Sequence, residues 1–87
     1  MPEISRFYGI IIKMFFNDHF PRHFHAEFGE FRAMINIETG EVIEGDMPKK
    51  QLRLIQAWAI LHENELIDNF EGLRKLPVFW QNIDPLK

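Results

Sequence analysis

Between His23 and Asn36 the chain runs HFHAEFGEFRAMIN, with polar and apolar residues alternating strictly on either side of Gly29-Glu30. A period of two sends His23, His25 and Glu27 to one face of a strand and Phe24, Ala26 and Phe28 to the other. Gly29 suits the positive φ that a two-residue II′ turn needs at its first central position. A hairpin closed there sets Phe28 opposite Phe31, Glu27 opposite Arg32, Ala26 opposite Ala33, His25 opposite Met34, Phe24 opposite Ile35 and His23 opposite Asn36. One face is then wholly apolar, and the other carries two histidines, an opposite-charge pair and an amide. A slip of one residue would undo both faces, so the register is strongly specified.

The flanking segments extend this hairpin into a sheet. Ile4 to Phe7 is an extended lead-in, and Gly9 allows a bend or bulge. Ile10 to Phe16 is strand-like, with Ile10, Ile12, Met14 and Phe16 on one face and Ile11, Lys13 and Phe15 on the other. Two largely apolar faces imply a central strand or a covered outer face. Asn17 to Arg22 is a loop, with Pro21 biasing Phe20 away from helix. Glu38-Thr39-Gly40 is a turn with Gly in the left-handed position, and Glu41 to Gly45 forms a fourth strand. Asp46 offers an N-cap for a helix whose first turn holds Pro48.

From Pro48 the period becomes helical. Leu52, Ile55, Ala59, His62, Leu66, Phe70 and Leu73 step by three or four, with Leu54, Trp58 and Leu61 as a second stripe expected in the core. Two helices broken near His62 to Asn64 give the second one acids at its start and Arg74-Lys75 at its end, which the macrodipole favours over one long helix. The expected fold is α+β: a four-stranded antiparallel meander over 4–45 packed against one kinked or two consecutive helices over 48–75. The tail over 78–87 adds a short fifth strand around Trp80 to Ile83. Residues 1–87 form a single domain.

Composition narrows the function. A chain of 87 residues buries only about 60–65% of its unfolded surface. Its 14% aromatic content therefore implies rings covered by a partner, a homodimer first of all. With no cysteine, disulfides and thiolate metal sites are excluded. No apolar run approaches the ~20 residues of a membrane span and no signal peptide is recognisable, so a cytoplasmic protein without membrane partners is expected. Thirteen acids against ten bases argue against gross electrostatic binding to nucleic acid. Locally, Glu38, Glu41, Glu44 and Asp46 precede Lys49, Lys50 and Arg53, and such an acidic–basic junction suits a protein partner or one local anion.

Several stretches resemble a small bacterial family of unknown function, domain of unknown function number 4160. They are Ile4 to Phe7 with Gly9-Ile10, Asp18-His19, Pro21 with His23 to Ala26, Gly29-Glu30, Ile37 to Glu41 and Glu44-Gly45. The helical part matches through Pro48, Leu52, Trp58, Leu61-His62, Glu65-Leu66 and Asn69. Arg22 replaces a second proline usual in the family, and Phe70 stands where Trp is common. The resemblance implies a chain encoded beside another small protein, hence a toxin–antitoxin-like pair.

Three functions follow. The first is a protein-interaction module of a two-gene system, using the sheet edge or the junction formed by Glu44, Asp46, Lys49, Lys50 and Arg53. The second is a toxin-like ribonuclease acting on RNA, with His23 and His25 as general acid and base, Arg32 or Arg22 neutralising phosphorane charge, and Glu27 alongside. The third is a metal site. His23 and His25 point the same way about 7 Å apart, and on this third reading His19, Asp18 or Asn36 complete a shell for zinc; on the other two no cofactor is expected. Against these stand imidazoles that hydrogen-bond across the sheet and stack on Phe20 or Tyr8, and a Glu27–Arg32 pair that is merely cross-strand. His62, at the helix junction, is expected to satisfy backbone carbonyls.

Overall fold

A computed structural model of the chain describes residues 2–16, 18–75 and 80–87. Strands β1 (Glu3–Phe7), β2 (Ile10–Lys13), β3 (His23–Phe28), β4 (Phe31–Asn36) and β5 (Val42–Gly45) precede helices α1 (Lys49–Leu61) and α2 (Glu63–Lys75). The strands make one antiparallel sheet in chain order. The α+β meander is as expected, with five strands. The strand beyond the expected four is β1. Tyr8 and Gly9 have φ of 50° and 77°, the pair of positive values that a two-residue I′ turn requires. The lead-in therefore folds back onto β2 instead of bending past it. Trp80 to Ile83 is irregular, although the Ile83 N–H donates to the Ile4 carbonyl at 3.0 Å. The expected helix stop before Pro77, the start of the tail at Val78, and Asn17 in the expected loop lie outside the described residues.

Pairing of β3 with β4 follows the alternation, from His23–Asn36 to Phe28–Phe31. Gly29 has φ of 57° and Glu30 is not among the residues with positive φ, as a II′ turn demands. The inner face of the sheet, including Phe24, Ala26, Ala33 and Ile35, forms one buried core with Ile55, Trp58, Leu66 and Phe70 from the helices. Trp58 is fully buried, 5.2 Å from the Phe7 ring and 5.8 Å edge-on to Phe24. Its indole N–H donates to the Asp84 carbonyl at 2.8 Å. Asn69, also buried, exchanges two hydrogen bonds with the Gln81 backbone. The C-terminal residues are thereby tied to both helices. Phe16, expected on one face with Ile10, Ile12 and Met14, is exposed while those three are buried, because β2 ends at Lys13.

The helix break falls at His62, whose backbone N–H still reaches the Trp58 and Ala59 carbonyls. Its ring does not serve backbone carbonyls as expected; Nδ1 meets Glu65 Oε1 at 2.5 Å. Helix α2 carries Glu63 and Glu65 in its first turn and Arg74 and Lys75 in its last, both favourable to the dipole. Asp46 is not the N-cap. Its N–H is bonded to the Arg32 carbonyl at 2.9 Å, which holds it at the sheet, and Pro48 occupies the cap without a side-chain bond. Leu61, expected in the core, is exposed, while Leu54 is half-buried. Among the described residues no helix is long and apolar enough to cross a membrane.

Gly45 has φ of +90°, and a Cβ there would lie 2.2 Å from the Arg32 carbonyl oxygen. Gly29 also has positive φ but open space around it. Urea unfolding should therefore show Gly29→Ala losing about 1 kcal/mol from backbone conformation alone. Gly45→Ala should lose clearly more, because overlap adds to strain.

Candidate functional site

Three polar side chains converge where the loop after β2 enters β3. Asp18 Oδ2 lies 2.8 Å from His23 Nε2 and 3.1 Å from His25 Nε2. The other ring nitrogen of His23, Nδ1, lies 2.7 Å from the Pro21 carbonyl. A carbonyl oxygen only accepts, so Nδ1 carries the proton. Asp18 Oδ1 accepts the His19 backbone N–H at 3.1 Å, and His19 Nδ1 stands 3.3 Å from the same oxygen. His23 is only 1% exposed, whereas the side chain of His25 is a quarter exposed. His-x-His spacing along β3 supplies two ligand positions, and the loop supplies the carboxylate. Asp18, His23 and His25 present ligand atoms all within 4.8 Å of one another.

Aromatic rings and helix α2 hold this arrangement. Phe70 packs 5.6 Å from His23, and Phe15 meets His25 edge-on at 4.3 Å. These replace the expected stacking on Phe20 or Tyr8; Phe20 instead lies against Phe70 at 5.7 Å, and Tyr8 is exposed. Arg74 donates to the Asp18 carbonyl at 2.7 Å while its guanidinium sits 4.3 Å over the Phe20 ring. Arg22 turns to Glu71 at 2.8 Å and so braces the loop against α2.

Burial is the largest influence on Asp18 and alone would raise its carboxyl pKa. The hydrogen bond from His25, the field of His23 and the remaining hydrogen bonds from His19 N–H and His23 outweigh it, so the group lies below its usual value. Burial also dominates at His25. Together with the neighbouring His23 it lowers that imidazole, against the opposing pull of Asp18 and Glu27.

A model of the family described as Domain of unknown function (DUF4160) matches residues 9–71. The chain belongs to that family. In this DUF4160 member the matched span contains the three converging residues as well as Phe70 and Glu71. No curated protein and no solved structure matches the chain.

The other expected site residues fall elsewhere. Glu27 pairs with Lys13 of β2 at 3.2 Å, not with Arg32. Arg32 is exposed and has no ion-pair partner among the described residues. Glu27 and Arg32 border a cleft of about 560 Å³ on the outer sheet face, together with Lys13, His25 and Glu44. Asn36 does not join the shell, because its Oδ1 accepts the Glu38 and Thr39 N–H groups at 2.8 and 3.1 Å. Glu44, Asp46, Lys49, Lys50 and Arg53 are exposed, and of these Glu44 borders the same cleft as His25. Sequence reasoning missed Phe70, Glu71 and Arg74 as supports. The family preference for an aromatic residue at position 70 was the one available signal.

A depressed folded-state pKa means that the unfolded chain binds protons first, so the stability involved is present at higher pH and lost as pH falls. The loss begins near 6.5 for His25 and resumes below 3.8 for Asp18. In chelator, the melting temperature should fall as pH is lowered from about 7 to about 5. His25→Gln should flatten that limb; an unaltered limb would assign it to another group.

Proposed function

We propose that this DUF4160 chain is a metal-binding protein in which Asp18 Oδ2, His23 Nε2 and His25 Nε2 hold one divalent transition-metal ion, with zinc as the simplest occupant. One observation carries the reading. With one proton fixed on Nδ1, His23 in its neutral form would point an Nε2 lone pair at a carboxylate oxygen 2.8 Å away. Two acceptors at that distance need a cation between them, either a proton or a metal ion. The shared orientation of His25 towards the same oxygen makes three donors around one point.

Two further features support a metal over a proton. An Nδ1–H bonded to a backbone carbonyl is the usual support of a ligating imidazole, since it fixes the tautomer and the ring. Two imidazoles and one carboxylate are a ligand set that zinc and other first-row ions accept, with a position left for water or substrate. His19, on the exposed loop against the second oxygen of Asp18, is the nearest additional donor. The ribonuclease reading draws less support, because His23 is enclosed and Arg32 lies near the turn at the other end of β3 and β4. The interaction-module reading rests on the family association and on the charged junction at Glu44 to Arg53.

Thermal unfolding tests the metal directly. Zinc at ~100 times its dissociation constant stabilises by about 2.7 kcal/mol, which raises the melting temperature of a domain this size by on the order of 10 °C. Chelator should reverse the rise, Asp18→Asn should abolish it, and His62→Ala should retain it. No shift with zinc, cobalt or manganese would overturn the proposal.

A further inference from the structure

Helix α1 buries one side and leaves the other bare. Ile60 and Leu61 are 76% and 69% exposed, more than any other large apolar side chain among the described residues. With half-buried Leu54 and exposed Ala57 they continue a stripe that starts at Lys50 and Arg53. The helix is also charged against its own dipole. Lys49, Lys50 and Arg53 crowd its N-terminal end, no acid lies in its first turn, and no base lies in its last. Among the described residues none of the three cations has an ion-pair partner. At the opposite end, Glu63 and Glu65 open α2 beside a cleft of about 410 Å³ bordered by Ile60 and Leu61.

The bare stripe and the misplaced charge are answered by the same contact. We propose that this face of α1 docks a second copy of the chain, with the two α1 helices antiparallel about a two-fold axis near Ala57. A two-fold axis requires a self-complementary patch, and this one is complementary in charge, with cations at one end and acids beyond the other. Antiparallel alignment brings the cationic end of each helix to the carbonyl end and the Glu63–Glu65 turn of the other. There both the dipole and the acids attract it. Ile60 and Leu61 of each copy cover Leu54 and the aliphatic stem of Arg53 of the other, and Ala57 lets the axes approach closely. One helix pair is a small interface, so the dimer dissociates on the order of micromolar concentrations. The interface is separate from the Asp18 cluster and does not depend on metal.

Sedimentation velocity of the full chain in chelator, over a concentration series, tests this. The wild type should pass from monomer to dimer, and Leu61→Glu should remain monomeric with an unchanged melting temperature, since the side chain is exposed. Lys50→Glu and Glu63→Lys should each raise the dissociation constant by about tenfold through lost and repulsive charge contacts. The double variant carrying both should restore dimerisation, because each reversed charge again meets its opposite on the other copy. A wild type that stays monomeric throughout would overturn the proposal. So would a Leu61→Glu dimer, or a double variant weaker than either single one.

Discussion

The six cross-strand pairs from His23–Asn36 to Phe28–Phe31 decide which side chains of the central strands enter the core and which leave it. With this register Phe24 and Ile35 are fully buried and Phe24 meets Trp58 edge-on. A buried aromatic of this kind contributes on the order of 2–3 kcal/mol through area alone. The same register sets His25 two residues from His23 on the opposite face, so both imidazoles can address one carboxylate. A slip of one residue would put both rings into the apolar core and the phenylalanines into water. Core packing and site geometry are therefore consequences of one pairing, closed by Gly29.

The strand provides only half of the site. Asp18 belongs to a loop, and ordering a loop costs about 1–2 kcal/mol per residue in backbone entropy. Helix α2 offsets that cost through the Arg74 bond to the Asp18 carbonyl, the contacts of the Phe20 ring with Arg74 and Phe70, and the Arg22–Glu71 pair. The last of these is partly exposed and contributes little, whereas the charged bond to a carbonyl contributes more. The carboxylate is thus held in place by residues about fifty positions downstream, the kind of support that keeps ligand atoms at fixed separation.

How much of this was visible in the sequence depended on range. The hairpin register and the break at His62 are local, set by alternation, one glycine and the placement of acids and bases along the helices. The His-x-His spacing is local too, and it was enough to set both imidazoles on one face of β3. Asp18 entered as one of several candidate ligands because a loop has no period from which to place it. Glu27 was matched to Arg32, its directly opposite neighbour, but a diagonal partner on the other flanking strand lies at comparable reach. Only the pairing of β2 with β3 brings Lys13 there. β1 was missed as a strand because Tyr8 takes a left-handed conformation that such residues rarely adopt. Leu61 followed the apolar stripe yet faces outward, since periodicity counts faces without saying what covers them.

The measurement that addresses the central claim most directly is nitrogen-detected NMR of the four histidine rings, before and after zinc. The geometry predicts that His23 carries a proton on Nδ1 in the metal-free protein, whether or not a second proton bridges Nε2 and Asp18. Zinc should then move the Nε2 signals of His23 and His25 together and leave His62 unchanged. A His23 proton confined to Nε2, or histidine spectra unaltered by zinc, would contradict a metal centre at Asp18, His23 and His25.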